Sequence, residues 1–290
     1  TERRLNCVGC IDIKMIKIIA FDLDDTLLNS NKEVSPATLE ALELASKNGI
    51  ELIPATGRFW SAVPECVRSM KFIHYAITLN GAEIFNVKNS KVLARFEIPL
   101  ERAVTIARVL DDLPVIYDCI AGGRSFIKKE FHERVADFAL GEWQLKMLRD
   151  LRTPVDDMYA LLKNKKTDVQ KMQLFTLDKK LREDLMKALP VVFPYNIITT
   201  SVANNIEIND INANKGTALR FLAKHTNTKE SDTMAFGDSL NDIAMLKAAG
   251  IGVAMGNASD DVKAAADYVT ASCNDDGVAE GIRKFCFPQS

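Results

Sequence analysis

Short apolar runs alternate with amphipathic segments near both ends of this chain, and this alternation restricts the possible folds. "MIKIIAF" is almost continuously apolar, as in a strand covered on both faces. "SPATLEALELASKNG" follows with helical spacing, with Ser35 as the N-cap and Gly49 at the end. "IELIPATGR" and "YAITLNG" read as two further strands around a short helix in "SAVPECVRSM". Strands that alternate with helices form right-handed βαβ units, so the sequence predicts an α/β fold with a Rossmann-like, doubly wound parallel sheet.

The same alternation returns near the C-terminus, and a different pattern separates the two stretches. The late helices are predicted in "NKGTALRFLAKH", "SLNDIAMLKAAG", "SDDVKAAADYV" and "DGVAEGIRKF", and the late strands in "DTMAFGD" and "IGVAMGN". Between them we predict helices in "LERAVTIARVLDDL", "EFHERVADFALGEW" and "DKKLREDLMKAL" (capped by Asp178), a hairpin in "PVIYDCIAGGRSFIKK" that turns at Gly122-Gly123, and strands in "KMQLFTL" and "NIITTSVANNIEIN". We therefore expect a first core half at 15–83, an α+β insert at 84–208 and a second core half at 209–290. Because Met15 opens the first strand, residues 1–14 are expected to be a non-native or disordered extension.

Composition excludes several classes of function. A formal net charge of −2 provides no basic surface for nucleic acid, and no apolar run approaches the roughly 18–20 residues that span a bilayer. The six cysteines are scattered apart from Cys7 and Cys10, and no second pair or histidine cluster completes a zinc site with these two. Scattered thiols favour a reducing, cytoplasmic setting. We expect small-molecule substrates, no nucleic-acid or membrane partner, and a monomer or homodimer.

The polar residues that could carry chemistry follow the predicted strands. In an open parallel sheet the carboxyl ends of the strands meet at one edge, where ligands bind. Four carboxylates, a hydroxyl and a lysine converge there, and this set suits an oxygen-liganded cation such as Mg²⁺ together with a phosphate group. These positions, with the neighbouring arginine and amides, are Asp22, Asp24, Thr56, Arg58, Asn80, Lys215, Asp238, Asn241 and Asp242.

The order of the acids in "IAFDLDDTLL" indicates roles for two of them. Asp22 is first off the strand and is the natural nucleophile toward a phosphate monoester. Asp24 lies two positions later and could protonate the leaving alcohol and then take a proton from water. Two like charges at about 4 Å repel by about 4 kcal/mol at an effective dielectric constant of about 20, and a divalent ion plus a lysine would offset that repulsion. Asp238 would complete the metal site with Asp242 in support.

These residues resemble the motifs of the haloacid dehalogenase (HAD) superfamily. "DLDDT" at 22–26, "ATGR" at 55–58, "NKG" at 214–216 and "GDSLND" at 237–242 match its four motifs in order. "LNGA" at 79–82 and the placement of the insert resemble the Cof-type branch, in which such an insert is a type IIB cap over the site. The resemblance covers the chain from Met15 onward and implies a phosphatase that hydrolyses sugar phosphates, nucleotides or cofactor phosphates.

The resemblance also implies a role for each motif residue. Asp22 would form an aspartyl-phosphate, Asp24 would be the general acid/base, and Thr56 and Lys215 would bind phosphoryl oxygens. Asp22, the Asp24 carbonyl and Asp238 would hold Mg²⁺, and Asp242 with Asn241 would position that metal site; the metal-binding set is thus Asp22, Asp24, Asp238 and Asp242. Substrate contacts are assigned to Gly57, Arg58, Asn80, Gly81 and Asn241.

Other interpretations remain open at this stage. "DLDDT" alone could be a solvated acidic turn, Asn80-Gly81 a turn dipeptide and Arg58 a surface charge. A phosphomutase or phosphotransferase would use the same aspartyl-phosphate, and a phosphometabolite sensor could use the same scaffold without catalysis. Two departures from the family pattern stand out, namely Asp25 where Gly is usual and "DINANKG" where a Gly-Val pair often precedes the lysine.

Overall fold

A computed structural model describes residues 15–165 and 168–288, with the side chain of residue 165 excepted. The strands are β1 (Ile18–Phe21), β2 (Glu51–Pro54), β3 (Tyr75–Thr78), β4 (Glu83–Asn86), β5 (Lys91–Arg95), β6 (Ile116–Ala121), β7 (Arg124–Lys128), β8 (Arg152–Val155), β9 (Val169–Phe175), β10 (Asn196–Thr199), β11 (Asn205–Asp210), β12 (Thr233–Gly237), β13 (Ile251–Ala254) and β14 (Tyr268–Val269). The α-helices are α1 (Pro36–Lys47), α2 (Glu65–Arg68), α3 (Leu100–Asp111), α4 (Lys129–His132), α5 (Glu142–Asp150), α6 (Met158–Lys165), α7 (Lys179–Val192), α8 (Lys215–His225), α9 (Ile243–Ala248), α10 (Asp260–Ala264) and α11 (Gly277–Cys286).

A five-stranded sheet, all parallel, forms the core in the order β14-β13-β12-β1-β2. Alternate residues of β1 face opposite sides, so Ile19 and Phe21 pack with α1 and α11 while Ile18 and Ala20 pack with α8 and α9. Both faces are therefore covered by helices, which explains the continuously apolar strand sequence. The predicted α/β fold with a doubly wound parallel core is confirmed.

Strands β3, β4 and β5 form a separate antiparallel sheet beside the core. A single parallel bridge between Ala55 and Ile77 connects this sheet to the end of β2. Strand β4, which begins at Glu83, is hydrogen-bonded to β3 of the first core segment and to β5 on its other side. Both strands thus belong to the sheet beside the core, although β5 and most of β4 fall within the expected insert range of 84–208.

The rest of the insert is built on a six-stranded sheet in the order β10-β11-β9-β6-β7-β8, which we call the cap sheet. One of its faces packs on α3, α6 and α7 through an apolar cluster that includes Met172, Leu174, Ile206 and Ile208. The residues between these apolar positions point to the opposite face, which lies over the core. The cap sheet therefore has one apolar face for folding and one face available for the site.

Local sequence signals account for most elements. The Ser35 side chain accepts a hydrogen bond from Thr38 N at the start of α1, and Asp178 does the same for Leu181 N at the start of α7. The predicted hairpin turns at Gly122-Gly123, where both φ angles are positive, at 60° and 72°. These predictions of two caps and one turn are confirmed.

Two predicted helices are wrong in part. "EFHERVADFALGEW" divides into α4, a 3₁₀ turn and the start of α5, because Gly141 leaves helical geometry with φ 132°. "SDDVKAAADYV" is helical only over α10, since Tyr268 and Val269 pair in parallel with Val253 and Ala254 at the sheet edge. In the second case tertiary pairing overrides the helix propensity of the alanines.

The expected extension at 1–14, and with it the Cys7–Cys10 pair, lies outside the described residues. Among the residues that are described, no helix is both long enough and apolar enough to cross a membrane.

Candidate active site

Three strand ends and one helix start meet at the carboxyl edge of the core sheet, which we call the rim. Asp22 directly follows β1, Asp238 directly follows β12, and Lys215 is the first residue of α8. The Lys215 Nζ atom lies 2.5 Å from Asp22 Oδ1 and 2.6 Å from Asp242 Oδ1. Asp22, Asp242 and Lys215 are all buried, so the rim holds a cluster of titratable groups away from bulk water.

The loop after β1 is folded tightly and turns one acid away from the others. Leu27 N donates to the Asp22 carbonyl at 3.2 Å, and Thr26 Oγ1 donates to Asp238 Oδ1 at 2.8 Å, which joins this loop to β12. Asp25 adopts φ 60°, the left-handed region that Gly enters most easily. Its carboxylate is exposed and pairs with Lys32 at 3.0 Å, so it adds little negative charge around Asp22.

Asp242 is fixed by the turn that follows β12. Its Oδ2 atom accepts hydrogen bonds from the backbone N–H groups of Asp238 and Ser239, both at 3.0 Å, and Ser239 completes a capping box with it. A Cβ atom on Gly237 would come within 2.4 Å of the Asp242 side chain, so the close approach requires glycine there. With Oδ1 on Lys215, both oxygens of Asp242 have partners within the protein.

The electrostatics of the rim indicate uncompensated negative charge. Burial raises the pKa of Asp22 well above its usual range, with further upward contributions from Asp242 and Asp238 against the lowering effect of Lys215. Burial and the Asp242 charge raise the pKa of Asp238 to about 7. Burial alone would lower the pKa of Lys215, but the charges of Asp22 and Asp242 raise it. One lysine is thus shared among three acids, and a cation would relieve the imbalance.

The donor set fits a hard divalent cation. Oxygens of Asp22, Asp238 and Asp242 all lie within 4.8 Å of one another. Asp22 Oδ2 accepts no hydrogen bond from the described residues, and the two oxygens of Asp238 accept only from the hydroxyl groups of Thr26 and Ser239, which can rotate away. Asp242 is instead held by Lys215 and by two backbone N–H groups, so Asp22 and Asp238 are the side chains best placed to ligate. The carbonyl of Asp24 likewise accepts no backbone hydrogen bond within the described ranges. Carboxylate and carbonyl oxygens are the ligands that Mg²⁺ prefers.

The Asp24 carboxylate is held by Arg58 rather than directed at the other acids. Arg58 donates from Nη2 to Asp24 Oδ1 at 2.7 Å and from Nε to Oδ2 at 2.8 Å, a bidentate pair. Lys32 Nζ lies 3.4 Å from Oδ1. Burial acts to raise the pKa of Asp24, but the hydrogen bonds and charges of Arg58 and Lys32 outweigh it and lower the pKa. Asp24 is therefore ionised in this arrangement.

Thr56 and Gly57 follow β2 and line a cavity between the rim and the cap sheet. Thr56 Oγ1 accepts from Arg58 N at 3.1 Å, which shapes the turn. A Cβ atom on Gly57 would lie 2.9 Å from Asn80 Oδ1, so glycine keeps that approach open. Asp22, Asp24, Arg58 and Asn241 line the same cavity.

Asn80 and Gly81, expected to contact substrate, lie behind the cavity and connect elements. Asn80 has φ 60° and donates from Nδ2 to Glu207 Oε2 at 2.7 Å, while its Oδ1 accepts from Asn241 Nδ2 at 3.1 Å. Gly81, with φ 98°, lets the Asn214 backbone approach, since a Cβ atom there would lie 2.4 Å from Asn214 O. The structure therefore places Asn80 between the core and the cap, and Gly81 against the start of the lysine helix.

Sequence reasoning missed the residues that the cap sheet contributes. Lys171 donates to the Gly57 carbonyl at 2.7 Å and to Glu207 Oε1 at 2.8 Å, and both side chains are buried. The sequence does carry a signal for these residues, namely the alternation in "VQKMQLF" and "NIEIND". Polar residues there occupy one face of strands that are buried throughout. Buried polar residues at every second position indicate a site facing that side of the sheet.

Comparison with known proteins finds similar chains. A family model described as haloacid dehalogenase-like hydrolase matches residues 19–282. The Bacillus subtilis (strain 168) protein named 5-amino-6-(5-phospho-D-ribitylamino)uracil phosphatase is 34% identical over 272 residues, covering 92% of this chain and 95% of that one. An Escherichia coli (strain K12) protein named pyridoxal phosphate phosphatase is 26% identical, with coverage of 92% and 97%.

Solved structures match over nearly the whole length. A haloacid dehalogenase-like hydrolase from B. subtilis superposes with a TM-score of 0.80 at 30% identity, covering 92% of this chain and 99% of that chain. A structure described as a HAD subclass IIB sugar phosphatase gives a TM-score of 0.77 at 27% identity, with coverage of 93% and 98%.

Proposed function

This chain belongs to the haloacid dehalogenase-like hydrolase family, in its Cof-type branch, and we propose that it is a Mg²⁺-dependent phosphatase that works through an aspartyl-phosphate. Its relatives are phosphoric monoester hydrolases, and this chain is one as well. The observation that carries the proposal is the contact of Lys215 with both Asp22 and Asp242 beside Asp238, which together form a site for one cation and one phosphoryl group.

In the first half of the reaction, Asp22 is the nucleophile. One of its carboxylate oxygens bonds to phosphorus while the bond from phosphorus to the leaving oxygen breaks. Lys215 neutralises charge on the phosphoryl oxygens, and Thr56 at the cavity wall offers a hydroxyl to them. A Mg²⁺ ion held by Asp22, the Asp24 carbonyl and Asp238 would supply the remaining positive charge.

Asp24 transfers a proton in each half of the reaction. In the first half its carboxyl group gives a proton to the leaving alcohol. In the second half a water oxygen bonds to phosphorus, Asp24 takes a proton from that water, and the bond from Asp22 to phosphorus breaks to release phosphate. The Arg58 pair supports the ionised form of Asp24 that the second half requires, and protonation for the first half requires that this pair separate.

The residues that line the cavity support a small substrate. The cap sheet closes over the rim, and its residues line the same space as Asp22 and Arg58. We expect sugar phosphates, nucleotides or cofactor phosphates, acted on in the cytoplasm by a monomer or homodimer without nucleic-acid or membrane partners. The named substrates of relatives differ from one another, so the test needs a broad panel.

The test is phosphate release from that panel, with and without Mg²⁺, by wild-type protein and by Asp22→Asn. We expect the substitution to lower kcat by at least about 10³-fold because it removes the nucleophile. Asp25→Asn is the matched control, because it makes the same chemical change three residues away at an exposed carboxylate bound to Lys32, and we expect activity within about twofold of wild type. Equal losses in the two variants, or release that needs neither Mg²⁺ nor Asp22, would refute the proposal.

A further inference from the structure

The cavity above the rim has a wall made by the cap sheet and α5, and this wall has both polar and apolar parts. Ile120, Met147 and Phe175 supply the apolar surface, while Trp143, Arg152 and Gln173 carry ring and polar groups. With the phosphoryl group at Asp22 and beside Lys215, this wall faces the leaving group. Its chemistry therefore describes the alcohol that the enzyme accepts, an inference that rests on the proposed function.

Arg152 is a buried cation with hydrogen-bonding capacity to spare. Its side chain is 4% exposed, its Nε donates to Asp118 Oδ2 at 2.8 Å, and its Nη1 donates to the Met147 carbonyl at 3.0 Å. Nη2 donates to no acceptor among the described residues, although Arg152 lines the cavity. Nη2 is not among the fully buried polar atoms that lack a partner, so it faces the open cavity and is available to an acceptor on a ligand.

Gln173 stands beside Arg152 and has a free acceptor. Its Nε2 donates to the same Asp118 Oδ2 atom at 2.8 Å, so the two side chains are held next to each other by one carboxylate oxygen. Its Oε1 accepts no hydrogen bond within the described ranges, and Gln173 also lines the cavity. Asp118 itself keeps one buried oxygen without a donor. The wall thus presents a donor and an acceptor side by side.

The cap side of the cavity carries no excess positive charge. Arg152 is neutralised by Asp118, and Lys171 by Glu207 at 2.8 Å. The described cap residues that line the cavity include no other lysine or arginine. A second phosphate or a carboxylate on the leaving group would therefore lose water without gaining a free cation.

Trp143 adds a flat surface beside this pair. Trp143 belongs to α5 and is 43% exposed, and two cations lie near its ring, with the Arg58 guanidinium carbon 5.0 Å and Lys32 Nζ 5.4 Å from the ring centroid. Because Arg58 belongs to the rim, this contact places the indole between the phosphoryl site and the cap wall. An exposed indole that lines a cavity is suited to stack on a planar ring.

We propose that the leaving group ends in an uncharged planar heterocycle whose edge carries a carbonyl next to an N–H group. Arg152 Nη2 donates to the carbonyl, Gln173 Oε1 accepts from the N–H, and Trp143 stacks on the ring. This assigns specificity to three cap residues outside the four motifs.

Two matched pairs of substrates test the assignment. Flavin mononucleotide and D-ribitol 5-phosphate share the phosphorylated chain and differ in the ring, and we expect kcat/KM at least about tenfold higher for the flavin. Uridine 5′-monophosphate and cytidine 5′-monophosphate differ in the edge, and we expect uridine to be preferred by about tenfold because the cytosine edge reverses donor and acceptor. Fructose 1,6-bisphosphate against fructose 6-phosphate tests the charge, and the bisphosphate should be the poorer substrate.

Substitutions in the cavity wall test which side chains produce the preference for the flavin substrate. Gln173→Leu and Trp143→Leu should each bring the ratio of kcat/KM for flavin mononucleotide to kcat/KM for D-ribitol 5-phosphate to within about threefold of one, whatever change they make to both rates together. Arg152→Met should do the same where circular dichroism shows it folded. Arg149→Met is the matched control, since Arg149 lies on α5 three residues before Arg152, is exposed and does not line the cavity, and it should leave the preference unchanged.

The outcomes separate the two proposals. Equal rates for the members of both pairs, a preference for the bisphosphate, or a flavin preference that survives Gln173→Leu and Trp143→Leu would overturn this inference and leave the phosphatase intact. Loss of Mg²⁺- and Asp22-dependent release from every compound would overturn the proposed function. In that case, binding of riboflavin, the flavin product, still decides the inference, because quenching of its fluorescence should depend on Trp143 and Gln173.

Discussion

Asp25 shows how a single backbone angle explains an unusual residue. Its φ of 60° accounts for the glycine that the family usually has there, and Asp is among the few other residues that tolerate this angle. Because the carboxylate is exposed and bound to Lys32, the extra charge next to Asp22 is compensated outside the cluster. The Asp25 carboxylate pairs with Lys32 outside the acid cluster, and this orientation accommodates an aspartate where the family usually has glycine.

We expect the Asp25 position to tolerate Gly but not Ala. Asp25→Ala should be less stable to urea than Asp25→Gly by about 1 kcal/mol, since alanine pays a steric cost at positive φ that glycine avoids. The measurement is the free energy of unfolding of both variants and wild type. A more stable alanine variant would show that the loop relaxes to a different backbone conformation.

The raised pKa of Asp238 predicts that protons and Mg²⁺ compete at the rim. Below its folded pKa of about 7, Asp238 holds a proton that its unfolded form releases, so in metal-free protein this group costs stability progressively as pH rises from about 4 to 7. Mg²⁺ favours the ionised form, so a few millimolar should raise Tm by several °C at about pH 8 and by less than half as much at about pH 5.5.

Asp238→Asn is the control for this experiment. It removes the charge and should lose the Mg²⁺-dependent rise in Tm, while the metal-free variant at about pH 8 is at least as stable as wild type. A shift that is larger at the lower pH, or that persists in the variant, would place the cation elsewhere.

Helix α8 shows how an element delivers one catalytic side chain. The Asn214 side chain accepts from Thr217 N at 2.8 Å, and Gly81 allows the Asn214 backbone to pack closely, so the helix begins at Lys215. The "DINANKG" sequence therefore caps the helix with asparagine, without the Gly-Val pair that often precedes the lysine. The N-cap residue Asn214 directly precedes Lys215, so we expect a change at Asn214 to affect both the free energy of unfolding and catalysis.

Asn214→Ala should cost about 1 kcal/mol of stability and lower kcat/KM by about tenfold, because the first turn that carries Lys215 loses its cap. Ser35→Ala removes the cap of α1, away from the rim, together with the hydrogen bond from Ser35 Oγ to Asp276, and should cost at least as much stability with unchanged kcat/KM. Urea unfolding and steady-state kinetics measure both quantities. Matching kinetic losses in the two variants would mean that the cap has no specific link to Lys215.

The elements also show what could be read from sequence and what could not. The core strands, α1 and the rim acids are encoded within a few residues by apolar runs, caps and motifs. The pairing of Arg58 with Asp24 depends on side-chain orientation across 34 positions of sequence, and the strand at Tyr268 depends on its pairing with Val253 outside its own segment. The break at Gly141 is a local backbone angle, φ 132°, that the surrounding helical pattern does not reveal. The polar face of the cap sheet required knowing both that β9 and β11 pair and that the sheet lies over the core.

At the scale of the molecule, several buried hydrogen bonds join the cap to the core, and two of them involve Lys171 and Glu207. Lys171 reaches the Gly57 carbonyl beside Thr56, and Glu207 accepts from Asn80 at 2.7 Å. Burial acts to raise the pKa of Glu207, but the Lys171 charge outweighs it and lowers that pKa. Glu207 is therefore ionised in this arrangement, and its ionisation depends on the charge of Lys171.

Removing one partner of the Lys171–Glu207 pair should lower the free energy of unfolding by more than removing both. Lys171→Met should lower the free energy of unfolding by about 3 kcal/mol by leaving Glu207 charged and buried, and the added Glu207→Gln should recover part of that loss. A double-mutant cycle from urea unfolding measures the coupling. The exposed Lys180–Asp184 pair has a similar length of 2.7 Å and serves as the control, with no measurable coupling. Equal couplings in the two pairs would contradict the role of burial.

The Lys171–Gly57 bond also bears on exchanging caps between relatives. Since a backbone oxygen of the phosphate-side turn is held by a cap lysine, that turn is completed only when the two parts come from compatible chains. A chimaera that joins this core to a foreign cap would keep its turnover only if the donor supplies a lysine and a glutamate at the positions equivalent to 171 and 207. Selection for a new substrate in this scaffold would then act on the remaining cap positions, with these two held constant.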